Sequence, residues 1–285
     1  ETAPTDIAIT EEEIYIADKN NHRIQVLDLN GTFLREWGSH GSDNDKFNHP
    51  YSIALDMNGT IVNEVYIADR YNYKAKVFDA NGTFLRTIGE NIISESTGLS
   101  IGPDGLLYLS SCRSNKIEVF ETNGTRVRSF STSQNPYHID FFGDKLAVAM
   151  GDNHKIEIFD KNGTSLSSFG SQGSNPNVFG EFYHPYGLTY DPSGNLHIAD
   201  SHNNRIQVFD ANNSYVRSYG TYGQAVGVSP YGFQITPENN FLITDVDYHR
   251  IFEVDANGTL VQMIATQGSA DGQVVNPRSA FLGVD

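Results

Sequence analysis

Three histidines stand beside tyrosines in related settings: His49-Pro50-Tyr51, Pro136-Tyr137-His138 and His184-Pro185-Tyr186. If these positions face one another, three imidazoles could hold zinc or copper with one coordination position open, which would suit a metal-dependent lyase or hydrolase. The phenols point to different chemistry. Tyr51, Tyr137, Tyr186 and Tyr231 each follow a Pro, as do Thr5 and Arg278, while Thr97 holds a matching place without the Pro. Amphipathic rings with a hydroxyl suit capture of a protein segment, peptide or glycan. A packed collar of tyrosines bonded to backbone is the other reading, and phenols that only line a mouth should be removable without loss of stability. Asp43-Asn44-Asp45 and Asp245-Val246-Asp247 could touch calcium, but neither carries the glycine and terminal glutamate of a calcium loop. No Ser-His-Asp order, phosphate-cradling glycine loop or zinc-type cysteine pattern is present. No cofactor is expected, with zinc, copper or calcium as the alternative.

Such positions converge only if the chain repeats its architecture around an axis, and it does repeat. A segment with a base, an apolar alternation and a closing acid occurs six times, ending at Asp28, Asp79, Glu121, Asp160, Asp210 and Asp255. The closing acids lie 51, 42, 39, 50 and 45 residues apart, so loops of variable length sit on a fixed unit. Each unit reads as four short strands, a to d, because β-branched and aromatic runs alternate with Gly, Asn, Asp and Pro. Between c and d, five units carry Asn-Gly, as in Asn81-Gly82, and the other carries Asn212-Asn213. This pair is expected to supply the positive φ angles of a type I′ hairpin.

Apolar residues on both faces of each sheet require cover on both sides. The expected fold is all-β: a six-bladed β-propeller of four-stranded antiparallel blades, forming one domain over 1–285. Two β-sandwiches are the alternative. The blades are expected at roughly 4–38, 49–89, 97–131, 136–170, 185–220 and 230–265. Residues 276–285 are then a surplus inner strand or the start of a further repeat in a longer chain.

At the end of strand b an acid is followed by Asn and by the base that opens strand c. The copies are Asp18, Asn21 and Arg23; Asp69, Asn72 and Lys74; Asp200, Asn203 and Arg205; and Asp245 with Arg250. With this motif the chain resembles NHL-repeat propellers over essentially its whole length, although Ser111 and Met150 replace the acid in two units. The acid facing a base five residues on is read as a hydrogen-bonded clamp across the b–c turn. The resemblance implies the propeller fold and no single activity, since the family holds scaffolds, receptors, RNA binders and enzymes. The peptidyl-hydroxyglycine amidating lyases are more distantly similar. Their metal histidines directly follow the Pro that opens strand a, where this chain has Tyr51, Tyr137 and Tyr186, so those ligands do not carry over. His22, His154 and His249, beside the turn base, are expected to be solvated.

Strand direction places the a–b and c–d turns on one face of the disc and the b–c and d–a connections on the other. Asn30, Asn81, Asn123, Asn162, Asn212 and Asn257 at c–d turns, and Asn58 at an a–b turn, each begin an Asn-x-Thr/Ser acceptor. All seven candidate glycosylation sites therefore share one face, with turn chemistry alone as the competing explanation. Long d–a loops and the Pro-Tyr positions share the other. Lys plus Arg number 19 against 35 Asp plus Glu, a net charge of −16. That balance opposes nucleic acid, including the RNA that resemblance to the RNA-binding TRIM-NHL proteins would imply, and opposes an anionic membrane surface. No apolar run approaches the ~18 residues of a spanning helix. Cys112 is the one cysteine, so no internal disulfide can form. The combined expectation is an acidic, extracellular or cell-surface glycoprotein domain, monomeric or part of a longer chain. Its expected role is non-enzymatic recognition of a protein, peptide or glycan on the d–a face around the channel.

Overall fold

The computed structural model describes residues 4–175, 177–219, 229–268 and 270–274. Their strands form six antiparallel meanders of four consecutive strands; the sixth gains a short parallel fifth strand, Gln273–Val274, and Ser171–Gln172 pairs in parallel with Glu181–Phe182 in a d–a loop. Blade 1 uses Asp6–Ile9, Glu13–Asp18, Arg23–Asp28 and Phe33–Trp37, and blade 2 uses Pro50–Asn58, Ile61–Asp69, Lys74–Phe78 and Phe84–Ile88. Blade 3 uses Ser96–Ile101, Leu107–Ser111, Lys116–Phe120 and Arg126–Ser131, and blade 4 uses Pro136–Phe142, Lys145–Met150, Lys155–Asp160 and Ser165–Phe169. Blade 5 uses Pro185–Tyr190, Leu196–Asp200, Arg205–Phe209 and Tyr215–Tyr219, and blade 6 uses Pro230–Ile235, Phe241–Asp245, Arg250–Val254 and Leu260–Gln267. Each strand a packs on the strand a of the next blade, and that of blade 6 packs on that of blade 1, which closes a six-bladed propeller. The ring closes with every blade built from its own four strands. The expected surplus strand at 276–285, with Arg278, lies outside the described residues.

The sheets have apolar side chains on both faces, and the core divides accordingly into six clusters, each straddling two blades. Ile7, Ile16 and Leu27 of blade 1 meet Leu242, Ile251 and Ile264 of blade 6, so the closing interface is packed like the others. Burying such side chains contributes roughly 1.5–3 kcal/mol each. Blade spacing is tight where strands meet. A Cβ on Gly187 would lie 1.7 Å from the Tyr231 carbonyl oxygen, so neighbouring inner strands approach only because that position has no side chain.

The c–d hairpins depart from the expected type I′ turn. In Asp79-Ala80-Asn81-Gly82-Thr83 the Gly82 amide donates to the Asp79 carbonyl at 3.0 Å and the Asp79 amide to the Thr83 carbonyl at 2.9 Å. Gly82 has φ +85°, whereas Asn81 is not among the residues with positive φ. This is a type I turn closed by a left-handed residue with a bulge, which needs one left-handed residue instead of two. Asp79 Oδ1 accepts from the amides of Asn81 and Thr83 at 2.9 and 2.8 Å and so holds the turn from inside.

The acid at the end of strand b does more than clamp the b–c turn. Asp200 Oδ2 accepts from Arg205 Nε at 2.8 Å and from Gln207 at 3.0 Å, Asn203 caps it at 2.9 Å, and Oδ1 accepts the Tyr183 amide from the preceding d–a loop at 2.7 Å. Arg205 then donates to the loop carbonyl of Glu181 at 2.9 Å. Asp18–Arg23 and Asp245–Arg250 repeat the pairing at 2.9 Å each. Blade 2 corrects the expected Asp69–Lys74 pair. Lys74 reaches Glu90 at 3.0 Å, and Asp69 pairs instead with fully buried Lys76 at 3.0 Å. Residues 74 and 76 share one face of strand c, so a base can serve from the second position, which Gln25 and Gln207 occupy elsewhere. Desolvation raises the pKa of Asp18, Asp69, Asp200 and Asp245, against the pull of their partners.

Removing one partner of such a buried pair strands the other without solvent. Asp200→Ala is therefore expected to lower the unfolding free energy by about 3–5 kcal/mol in chemical denaturation. Lys74→Ala, which breaks only a pair with exposed Glu90, should cost under about 1 kcal/mol. Equal losses would contradict the assignment of the clamp.

Candidate binding site at the channel mouth

The residue after the Pro that opens strand a, and Thr97 at the same place in blade 3 where Ser96 replaces the Pro, converge at the axis because strands a line the channel in the same register. Tyr51 meets Tyr231 edge to face at 5.8 Å with their hydroxyls hydrogen-bonded, Tyr231 stacks on Tyr186 at 4.7 Å, and Tyr186 lies 4.7 Å from Tyr137. The four tyrosines thus form one continuous group. Thr5 and Thr97 complete the ring, and their hydroxyls donate to the carbonyls of Pro50 and Pro136 at 3.4 and 2.7 Å. Below the rings the channel is nearly filled, with a void of about 10 Å³. Tyr51 is only 3% exposed, and the Arg70 guanidinium sits 4.7 Å from its ring centre. The expectation that Tyr51 can be removed without loss of stability is therefore corrected, because its removal would open a cavity.

The open part of the mouth lies to one side, over blades 5, 6 and 1. A cavity of about 480 Å³ is lined there by Lys19, Tyr183, Tyr186, His202, Tyr231 and Asp247, among others. Along one side of it runs a chain of aromatic rings, while Thr5, Lys19, Ser201, Asn204, Ser229 and Asp247 make the rest of the lining largely polar. His202 lies 5.4 Å from Tyr183 and 4.7 Å from His184, which stacks on Tyr186 at 5.7 Å. Tyr183 and His202 were not found from the sequence. The available signal was position, since Tyr183 lies two residues before Pro185 and His202 two after Asp200, both on the d–a and b–c face.

The three histidines considered as metal ligands are not brought together as one site. His49 packs on His22 at 4.7 Å, His184 packs on His154 at 4.7 Å, and His138 lies under the tyrosines with Nε2 3.3 Å from Asp6 Oδ2. Among the described residues no three of His, Cys, Asp and Glu are placed to hold a metal ion. That covers the candidate calcium acids too. Asp43 pairs with Lys46 at 2.5 Å, and Asp245 serves its clamp. Ser52 also meets Asp6, donating to Oδ2 at 2.7 Å, so serine and histidine converge on one carboxylate oxygen. A serine whose proton faces the carboxylate is not activated by the imidazole. Burial works against the charged form of His138, but the Asp6 carboxylate holds its pKa above the ordinary value. Burial pushes the Cys112 thiol up to about 11, so it is no nucleophile at neutral pH.

His22 and His154 are half-buried instead of solvated. Each has positive φ (55° and 53°), which turns its ring onto the next d–a loop, where Nδ1 accepts the amide of His49 or His184 at 3.2 or 3.1 Å. His249, half-buried with φ 50°, has the same backbone. Burial lowers the pKa of His22 and His154, and burial with neighbouring His22, Lys19 and Arg70 lowers His49 to about 4.

An NHL-repeat family model matches residues 2–27 and 182–209, which cover the b–c motifs of blades 1 and 5. The chain is 26% identical over 135 residues to the protein brain tumor of Drosophila melanogaster, covering 47% of this chain and 13% of that protein. It is 27% identical over 134 residues to the B-box type zinc finger protein ncl-1 of Caenorhabditis elegans, covering 47% of this chain and 16% of that protein. The match thus spans less than a fifth of the length of either relative. Among solved structures, a virginiamycin B lyase from Staphylococcus aureus superposes with a TM-score of 0.67 at 15% identity, covering 92% of this chain and 84% of its own. A streptogramin B lyase gives 0.69 at 14%, covering 95% and 86%. At such identities these likenesses bear on the fold alone.

A histidine whose pKa falls on folding stabilises fully above its unfolded value near 6.5, and that contribution is lost as the pH drops toward the folded value. The thermal midpoint is therefore expected to fall between pH 6.5 and 4. The raised pKa of the clamp carboxylates acts in the opposite sense, so the informative quantity is the difference between variants. His49→Asn, which places at 49 the residue that Asn135 provides before Pro136, should flatten part of the fall in a pH series of melting curves. An unchanged slope would show that His49 does not contribute.

Proposed function

This chain is an NHL-repeat β-propeller, and we propose that it is a non-enzymatic recognition module that binds a segment of a partner protein on its d–a face. The observation that carries this reading is the unbroken aromatic wall from Tyr183 through His202, His184 and Tyr186 to Tyr231, beside a cavity of about 480 Å³. Planar rings supply large contact area at small conformational cost, and such residues dominate binding energy in protein interfaces. The similarity to repeats in two larger proteins fits an interaction domain within a longer architecture. Lys19 and Asp247, from neighbouring blades 1 and 6, add charges of both signs to the lining, which would favour a segment with complementary charges.

Panning a random peptide library on the immobilised protein is expected to yield binders that Tyr183→Ala and His202→Ala weaken at least tenfold, about 1.4 kcal/mol each. Tyr183 is 37% exposed and His202 is exposed, so both variants should melt within about 3 °C of the parent. A glycan array run in parallel separates peptide from sugar recognition. The reading fails if no library peptide binds, or if bound peptides ignore both substitutions. Single-stranded RNA at physiological salt is expected to stay unbound, in keeping with the charge of −16.

A further inference from the structure

The molecule contains its own control for the asparagines of the c–d hairpins. Three a–b turns are built with the same two backbone bonds: Gly102-Pro103-Asp104-Gly105-Leu106, Asp191-Pro192-Ser193-Gly194-Asn195 and Thr236-Pro237-Glu238-Asn239-Asn240. In each, the fourth residue donates to the first carbonyl at 2.8–2.9 Å, the first amide donates to the fifth carbonyl at 2.9 Å, and the fourth residue has positive φ. Their third positions hold Asp104, Ser193 and Glu238, and their fifth positions hold Leu106, Asn195 and Asn240. The turn therefore requires neither Asn in third place nor a hydroxyl in fifth.

All six c–d turns have both. Asn30, Asn81, Asn123, Asn162, Asn212 and Asn257 hold the third place, and Thr32, Thr83, Thr125, Thr164, Ser214 and Thr259 the fifth. All six asparagines are exposed. Only Asn123 has work in the turn itself, where Glu121 replaces the usual Asp and the Asn123 side chain accepts the Thr125 amide at 2.8 Å. In the other five the first-position Asp holds the turn amides, as Asp28 does for Asn30 and Thr32 at 2.9 and 2.7 Å. The fifth-position side chain can tie back to that acid, but Asn195 does so equally well, with Nδ2 2.8 Å from Asp191 Oδ2.

A requirement outside the turn is left to explain six Asn-x-Thr/Ser triplets at equivalent places on one face. We propose that the c–d hairpins are N-glycosylation acceptors that put a ring of glycans around the face opposite the channel mouth. The donor is an oligosaccharide linked through phosphate to a lipid. Its C1–O bond breaks, the lipid phosphate leaves with the electron pair, the Asn Nδ2–C1 bond forms, and Nδ2 gives up one proton. The acceptor sequence belongs to chains that pass through a glycosylating export route. Asn58-Gly59-Thr60, exposed on the same face, carries the same acceptor order and is expected to follow the six.

Peptide mapping of the protein from its native source, after enzymatic glycan release in heavy-oxygen water, should find labelled Asp at most of the six positions and a matching fall in intact mass. Unmodified asparagine at all six would overturn the proposal. Its structural premise has a separate test in the unglycosylated protein. Asn30→Asp, Asn81→Asp and Asn162→Asp place at these turns the residue that Asp104 already supports, and each should melt within about 2 °C of the parent. A fall of many degrees in all three would show that the asparagines serve the turn, and would overturn the argument whatever the mapping shows. Neither result bears on binding at the mouth.

Discussion

A buried carboxylate at the end of strand b is the interaction on which the loop face depends. Taking a charge out of water is costly, and desolvation raises the pKa of all four such acids. The chain places the acid where three elements need one anchor: the b–c turn through Asn21, Asn72 or Asn203, strand c through Arg23, Lys76, Arg205 or Arg250, and in three blades the arriving d–a loop through its amide. The base continues outward to the loop carbonyls, as Lys76 does to Asp43 at 2.7 Å and Arg23 to Ala270 at 3.1 Å. Blades 3 and 4 have Ser111 and Met150 in place of the acid, and the loops that enter them, 89–95 and 132–135, are the short ones. The motif thus marks where a long loop must be ordered. Ordering a loop costs backbone entropy, and a buried anchor such as Phe47 or Phe182 acts with the clamp against that cost.

That ordering decides what kind of site the mouth can be. His49 and His184 precede the Pro of strand a, and their amides are held by His22 and His154 from the preceding blade. One contact is used twice, in blades 1 and 2 and again in blades 4 and 5. The loop backbone at His49 and His184 is thereby tied to the preceding blade, which reduces what the loop would lose in entropy on binding. The tyrosine ring is not uniform. On the side of Tyr51 it is sealed by hydrogen-bonded hydroxyls and a guanidinium, and on the side of Tyr183 and His202 it opens into the cavity.

The fold was legible because one segment recurs six times, and a repeat reveals register. Equivalent positions fall at equivalent places, so the convergence of Tyr51, Tyr137, Tyr186 and Tyr231 followed from counting after Pro. What was not legible depended on backbone sign and on side-chain reach. Positive φ at His22 and His154 turns residues that look like solvated turn flankers onto the next loop. Lys76 displaces Lys74 because alternate residues of a strand share a face, and either spacing is compatible with the sequence. The turn type was misjudged because Asn-Gly serves two hairpin geometries, and the acid two residues before the Asn, which selects between them, was read only as the end of strand c. His202 escaped notice because no other blade has histidine there.

That last failure shows where a repeated scaffold leaves a position free to vary. The second residue after the end of strand b is Asn20, Tyr71, Arg113, Asp152, His202 and Asp247 in the six blades, five different side chains at one geometric position, with only Asp used twice. The residue before it is Lys19, Arg70, Cys112, Gly151, Ser201 and Val246, with no repetition at all. Positions that recur in most copies, such as the clamp acid, the turn glycine and the opening Pro, serve the blade. A position that keeps its place while its chemistry changes is under no such demand, and these two sit at the rim where a ligand would meet them. Their charges are also divided, with Lys19, Arg70 and Arg113 from blades 1 to 3 and Asp152 and Asp247 from blades 4 and 6. A ring assembled from near-identical units thereby acquires a polarity that no single unit encodes, and a partner carrying opposite charges at its two ends would seat in one orientation.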